Sequence, residues 1–388
     1  MESIEKKNFL KLVSFTSLGG VGFSFFQAFK SFSLIFLISK FLTSKTEIGF
    51  LLSLGSFVGI VIPPVIGYIS DRLKWILKGR KIIIIFSLLI LAILFNRFEK
   101  INSSQELYLF LTLIYIFFYA GFSPYQSLVP DLFPKGMLAS ATGIINFISQ
   151  AFQGVYIFIV VIAHASNLTF KLIIWGFLIS IIFLLFISEK NEGEERNKNT
   201  IDLNFFHNKL WIKLFLLQFF VWYGISSVSS FLLLFFQDAL SASLSDYMVV
   251  LAIYGIITAL STFGAGFLAD RFSKEKISAL SLGLLGISSF MYSQTYRIQH
   301  ALFSSILYGV SLGSLSVVPY SLILSYIPKD KAGSFVGVNT LVISISQVIA
   351  YFTSGLLIDL GGYRLNFLQG LVAAILGLIL MRSMNNQK

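Results

Sequence analysis

GYISDRLKWILKGRK, residues 67–81, returns in shortened form as GFLADRFSKEK, residues 266–276. Gly67, Asp71 and Arg72 recur as Gly266, Asp270 and Arg271, each pair 199 residues apart. A charged cluster repeated at a fixed offset points to an internal duplication. A second pair of stretches agrees with it. PYQSLVPDLFPKGMLASATG begins at Pro124 and PYSLILSYIPKDKAGSFVG at Pro319, and Pro134, Lys135, Ser140 and Gly143 align with Pro328, Lys329, Ser334 and Gly337 at an offset of 194. Gln153 and Gln347 keep the same offset.

The surroundings of these stretches set the fold class. Only 12% of the 388 residues are charged, 56% are hydrophobic and the mean hydropathy is +0.83, whereas soluble domains carry about 25% charged residues. Apolar runs near the ~20 residues that cross a bilayer follow one another along the chain, approximately at 11–39, 46–70, 81–97, 106–130, 139–164, 169–188, 210–237, 245–269, 277–293, 300–327, 334–358 and 364–382. The expectation is an all-α polytopic membrane protein of twelve transmembrane helices. The polar stretch 189–209 divides them into two homologous six-helix bundles, 1–188 and 210–388, joined by a linker.

The basic residues orient this arrangement. If the N-terminus is cytoplasmic, loops on that side hold 21 of the 29 lysines and arginines, the opposite loops hold seven, and Lys30 lies within a helix. The positive-inside rule then places both termini in the cytoplasm, with the inner membrane as the location. The net charge of +11 is thereby a topology signal and implies no nucleic-acid partner. There is no cysteine, His164, His207 and His300 show no ligand spacing, and no nucleophile or phosphate-loop pattern occurs. Neither an enzyme, a metal site nor a cofactor is expected.

Gly67 and Asp71 are four residues apart and share a helix face. The glycine admits a close neighbour, and the carboxylate can meet that neighbour's positive N-terminus. Arg72 and Arg80, with Gly79 in the same loop, supply partners for Asp71 and for Asp131 at the end of segment 4. The cluster reads as a conformational latch. Gly266, Asp270 and Arg271 form a weaker copy, because no glycine follows and Ser325 stands where the first half has Asp131.

Twelve helices in two halves, with G-x-x-x-D-R and then G-R-K between segments 2 and 3, resemble the major facilitator superfamily of secondary transporters. The eight-residue step from Asp71 to Gly79, and the Pro-Tyr pairs at 124 and 319, are similar to its branch of glycoside, pentoside and hexuronide cation symporters and sucrose/proton symporters. The resemblance implies alternating access to a midplane site, a small-molecule solute and a coupling ion. It also implies a monomer in the bilayer.

Lys30 is the one ionisable residue placed well inside a helix, where its cost is about 2.5–3.5 kcal/mol. Ser17, Gly20, Ser24, Gln27 and Ser31 recur at spacings of three and four as a polar stripe that Lys30 borders. Segment 7 adds Gln218, Trp222 and Ser226; segment 4 adds Tyr119; segment 5 adds Asn146, Gln150 and Gln153; segment 11 adds Asn339 and Gln347. Amides and hydroxyls beside aromatic faces suit a sugar or another polar solute, although each can equally join helices by hydrogen bonds. Acids fall in loops or at helix ends, which leaves ion coupling without a mid-membrane carboxylate. Two other readings stand beside the sugar transporter: an exporter of amphipathic compounds, and a non-transporting receptor on a transporter fold.

Overall fold

The computed structural model describes residues 2–77, 80–133, 138–163, 166–187, 209–326 and 332–385. Among the described residues the regular structure is helical throughout, with no strand. The first membrane helix, α1, is irregular, built from Glu2–Gly19, Val21–Ala28, a π-helical turn Phe29–Ser33 and Leu34–Ser39. Next come α2 (Lys45–Leu77), α3 (Lys81–Phe98), α4 (Ser104–Leu132), α5 (Leu138–Ala163) and α6 (Ser166–Leu185). The irregularity of α1 returns in α7, made of Lys209–Ser229, Leu232–Leu234 and a π turn Phe235–Ala239. Then follow α8 (Leu244–Arg271), α9 (Lys274–Ser293) and α10 (Ile298–Tyr326).

The last helical run, Ala332–Asn385, contains Gly362 at φ 80° and ψ 175°. That backbone suits a residue without Cβ, and the parts before and after it are α11 and α12. Among the described residues, ten stretches are long and apolar enough to cross a membrane. Val338–Met384 is one of these although Gly362 divides it, and the serine-containing α9 falls outside the ten. With both taken into account, the twelve expected segments are present as helices.

Local chemistry sets several helix ends. Ser103 accepts from the Glu106 amide at 3.2 Å while the Glu106 carboxylate accepts from the Asn102 amide at 2.9 Å, a reciprocal cap on α4. Ser243 and Ser273 accept from the Asp246 and Lys276 amides at the starts of α8 and α9. The sequence places the end of segment 2 near residue 70, yet α2 runs on to Leu77. Arg72, Leu73 and Lys74 are good helix formers, so the charged stretch prolongs the helix beyond the apolar one. Pro63 and Pro64 lie inside α2.

The chain gathers into two compact units. One comprises α1, the part of α2 from Val58 onward and α3–α6; the other comprises Thr43–Phe57 and α7–α12. The first has an aromatic centre in which Phe26, Phe29 and Phe177 surround Phe95 at centroid distances of 5.9, 5.5 and 5.7 Å, all edge-on. Phenylalanine thus occurs in two settings, since Phe86, Phe147 and Phe158 lie exposed while these four are buried. In the second unit Tyr292 stacks on Phe367 at 5.1 Å and shares a 2.6 Å hydrogen bond with Ser305. Glycines let helices close up where lipid supplies no hydrophobic drive: a Cβ on Gly176 would sit 2.7 Å from the Phe25 ring, and one on Gly313 would sit 2.5 Å from the Thr258 carbonyl.

Candidate functional site

Gly20 makes the break in α1. A Cβ there would lie 2.3 Å from the Tyr125 hydroxyl, which donates to the Thr16 carbonyl at 2.8 Å. The helix resumes at Val21, and two turns further on Phe29–Ser33 widens into the π turn that carries Lys30. Such turns are rare and concentrate at functional sites. The Lys30 ammonium is 5.7 Å from the centroid of the buried Tyr115 ring, within cation–π range. Ser33 faces Tyr156 across 3.5 Å in the same turn. Gln27 is half-buried on the preceding turn.

The rest of the expected stripe separates by environment. Ser17 and Ser24 are buried and donate to the Val13 and Gly20 carbonyls, and Ser24 also meets Ser149 at 2.8 Å. The hydroxyl end of Tyr119 lies against Gly59 of α2, whose Cβ would be 2.8 Å from the hydroxyl. On α5, Asn146 and Gln150 are exposed and Gln153 is half-buried.

In the second unit, Gln218 is 1% exposed and Asn339 3% exposed, and Oε1 of the one and Oδ1 of the other have no hydrogen-bond partner among the described residues. A buried amide oxygen left unpaired costs about 1–3 kcal/mol, so these two acceptors call for an explanation. Trp222 is half-buried, and the buried Ser226 offers its carbonyl to the Ser230 amide at 3.0 Å. Gln347 accepts from Ser56 of α2 at 3.2 Å.

A buried polar network beside these residues escaped the sequence reading. Tyr223 donates to Gln369 Oε1 and lies 3.1 Å from Thr353, which itself donates to Gln369 at 2.7 Å. Gln369 passes a 2.7 Å bond to Asn366, and Asn366 Nδ2 caps the Ser227 carbonyl at 3.0 Å, where α7 breaks. The signal was present: Asn366 and Gln369 are one helical turn apart in an otherwise apolar helix.

The proposed latch is described in part. Arg80, at the start of α3, is 4% exposed and its Nε lies 2.9 Å from Asp131 Oδ2. Lys81 donates to the Ile187 carbonyl just beyond α6. The side chains of Gly67, Asp71, Arg72 and Asp270, and the whole of Gly79, lie outside the described residues. Among the described residues, a Cβ on Gly266 would meet nothing within 4 Å. The neighbouring face packs instead, with Ala265 and Ala269 against Val318 of α10, and Arg271 is exposed.

The family model of the Major Facilitator Superfamily matches residues 15–217 and again 214–385. The chain belongs to the major facilitator superfamily. Superfamily members among solved structures share its fold: a bacterial homologue of the human lysosomal transporter Spinster, 16% identical with a TM-score of 0.75 over 98% of this chain and 97% of that one, was solved inward-facing and occupied. The nucleoside transporter NupG is 14% identical with a TM-score of 0.74, over 97% of both chains. The D-xylose-proton symporter is 16% identical with a TM-score of 0.70, over 95% and 97%. No curated protein sequence matches the chain. As a superfamily member it is an integral membrane protein and a secondary transporter of small solutes, not an enzyme.

Proposed function

We propose that this transporter moves a small polar solute, a sugar or glycoside, across the inner membrane by alternating access, as a monomer with both termini in the cytoplasm. The observation that supports this reading best is the pair of buried, unpaired amide oxygens on Gln218 and Asn339. Both are acceptors, and a solute rich in O–H donors answers them, whereas an apolar cargo leaves their desolvation cost standing. Lys30 contributes a cation that hydrogen-bonds hydroxyls or a carboxylate. Gln27, Tyr119, Asn146, Gln150, Gln153, Trp222, Ser226 and Gln347 complete the proposed polar set. Asp71, Arg72, Arg80 and Asp131 form the cytoplasmic latch, with Asp270 and Arg271 as its weaker copy.

The test is uptake of labelled saccharides into proteoliposomes, with and without proton and sodium gradients. Lys30→Ala and Gln218→Leu are expected to abolish uptake, and Asp71→Asn to reduce it more than Asp270→Asn. Flux of amphipathic compounds in place of any polar solute would favour an exporter. No flux at all, with Asp71→Asn altering a cellular response, would favour a receptor.

A further inference from the structure

The hydrogen-bond network of α7, α11 and α12 has a fixed direction, and at the end away from Ser227 it runs short of hydrogens. The Ser227 carbonyl can only accept, so the Asn366 amide turns Nδ2 toward it at 3.0 Å. Asn366 Oδ1 then faces Gln369, which must offer Nε2, at 2.7 Å. Gln369 Oε1 is thereby left pointing at Tyr223 and Thr353. Rotating either amide, or both together, would set oxygen against oxygen at Ser227 or at Asn366.

Thr353 Oγ1 is the crowded atom. Around it lie Gln369 Oε1 at 2.7 Å, the Ile349 and Ala350 carbonyls at 2.8 and 3.2 Å, and the Tyr223 hydroxyl at 3.1 Å. Tyr223 Oη also meets Gln369 Oε1, which closes a triangle of oxygens. The two hydroxyls bring one hydrogen each to all of these contacts, and among the described residues no N–H donates to either hydroxyl or to Gln369 Oε1. Close oxygens with no hydrogen between them repel, and a site of low dielectric screens that repulsion poorly. Gln369 is 8% exposed, whereas Tyr223 and Thr353 are half-buried and keep an accessible edge.

We propose that Tyr223 Oη, Thr353 Oγ1 and Gln369 Oε1 form a binding site for a sodium ion. A cation among them answers the lone pairs for which no hydrogen is available, and the Thr353 hydrogen then goes wholly to the Ile349 carbonyl. Hard cations take oxygen ligands, neutral carbonyl and amide oxygens included. Sodium is close to calcium in radius and so takes oxygens at about 2.3–2.6 Å. Oxygens that already stand 2.7 and 3.1 Å apart suit it better than the larger potassium ion. The acids of this chain fall in loops or at helix ends, so a cation held between its membrane helices must rely on neutral oxygens, and here they gather. The proposal goes beyond the transport reading and does not depend on the identity of the solute.

The test is thermal unfolding of the purified full chain in detergent, without any solute, in sodium, potassium or choline chloride at equal ionic strength. Sodium is expected to raise the melting temperature saturably, by about 3–6 °C once it reaches ten times its dissociation constant, and potassium by much less. Tyr223→Phe keeps the ring and its stacking on Phe219, and Thr353→Val keeps the shape of the side chain. Each removes one ligand oxygen and is expected to raise the sodium concentration needed for half the effect by about tenfold or more. Thr353→Ser restores the hydroxyl and should recover the response. Tyr308→Phe is the control, since it removes a different hydroxyl, one that donates to the Ile225 carbonyl at 2.7 Å, and should respond as the wild type does. Equal melting temperatures in the three salts overturn the site. So does a sodium response that Tyr223→Phe and Thr353→Val both retain, or one that Tyr308→Phe loses to the same degree. Should one of the two ligand variants not fold, the other decides alone. Because no solute is present, failure of saccharide uptake has no bearing on this readout.

Discussion

Gly22→Ala isolates the contact that seats α1, and with it Lys30, against α6. The amide of Gly22 donates to Ser180 Oγ at 2.8 Å, and a Cβ at this position would lie 2.6 Å from Phe177 Cδ1 and 2.9 Å from both the nitrogen and Cα of Phe177. The ring can rotate, but the backbone atoms belong to a packed helix and cannot. To reach an ordinary contact the two helices must part by several tenths of an ångström, stretching the Gly22–Ser180 bond between groups that no water reaches. Overpacking of this kind costs about 1–3 kcal/mol. Alanine returns about 0.5–1 kcal/mol through its better helix propensity. The expected net loss is about 1–2 kcal/mol. Gly154→Ala, on α5 of the same unit, is the matched control, since its Cβ would meet nothing within 4 Å. That change should leave stability equal or slightly raised. Thermal unfolding in detergent should therefore separate the two alanine variants by about 3–6 °C, using the shift per kcal/mol of a domain the size of one bundle. Indistinguishable melting temperatures would refute the packing argument.

Further outcomes follow from the remaining contacts. Asp131→Ala removes the carboxylate 2.9 Å from the buried Arg80 guanidinium, a loss of up to about 3–5 kcal/mol for a buried pair; the double variant with Arg80→Met should recover part of it, and strict additivity of the two in thermal unfolding would contradict the pairing. Asn366→Leu removes the donor to the Ser227 carbonyl and a partner of Gln369, so a drop of about 1–3 kcal/mol is expected; wild-type stability would mean that the network carries no energy. Lys30→Arg keeps the charge but enlarges the head group within the π turn, and is expected to weaken solute-induced thermal stabilisation in a screen of saccharides while the unliganded melting temperature changes little. Equal stabilisation would take Lys30 out of the solute site.

Much of the candidate site could be listed from residue types alone, but not sorted. Lys30 stood out because a charge within an apolar run is costly, and the structure places it in a π turn beside Tyr115. Ser17 and Ser24 looked the same as Gln27 in the sequence, yet their hydroxyls return to their own helix, a choice made by which neighbours crowd them. Gln347 was expected beside the solute, and its amide oxygen also receives a hydroxyl from α2, a contact that residue types did not announce. The network of Tyr223, Thr353, Asn366 and Gln369 joins α7 to α11 and α12, 130 residues or more further along the chain. No local pattern records such a meeting.

What the sequence determined by itself was the class of solution. In a bilayer, backbone groups must pair within their own segment, so repeated apolar runs admit little but helices, and the recurrence of G-x-x-x-D-R divides twelve of them into two sixes. What only the tertiary structure decided was which helix holds which. Asp359 and Asp238 read as ordinary acids at helix ends until α11 and α7 brought them to the start of α2. The first half of α2 also reads as part of the N-terminal repeat, yet it packs with the other unit. The physical reason is that hydrophobic periodicity specifies how much of a helix is apolar and along which face, whereas the partner is chosen by steric fit. Here that fit comes from glycines at 49 and 355 that allow backbone to meet backbone, and from a carboxylate that finds the open amides of another helix.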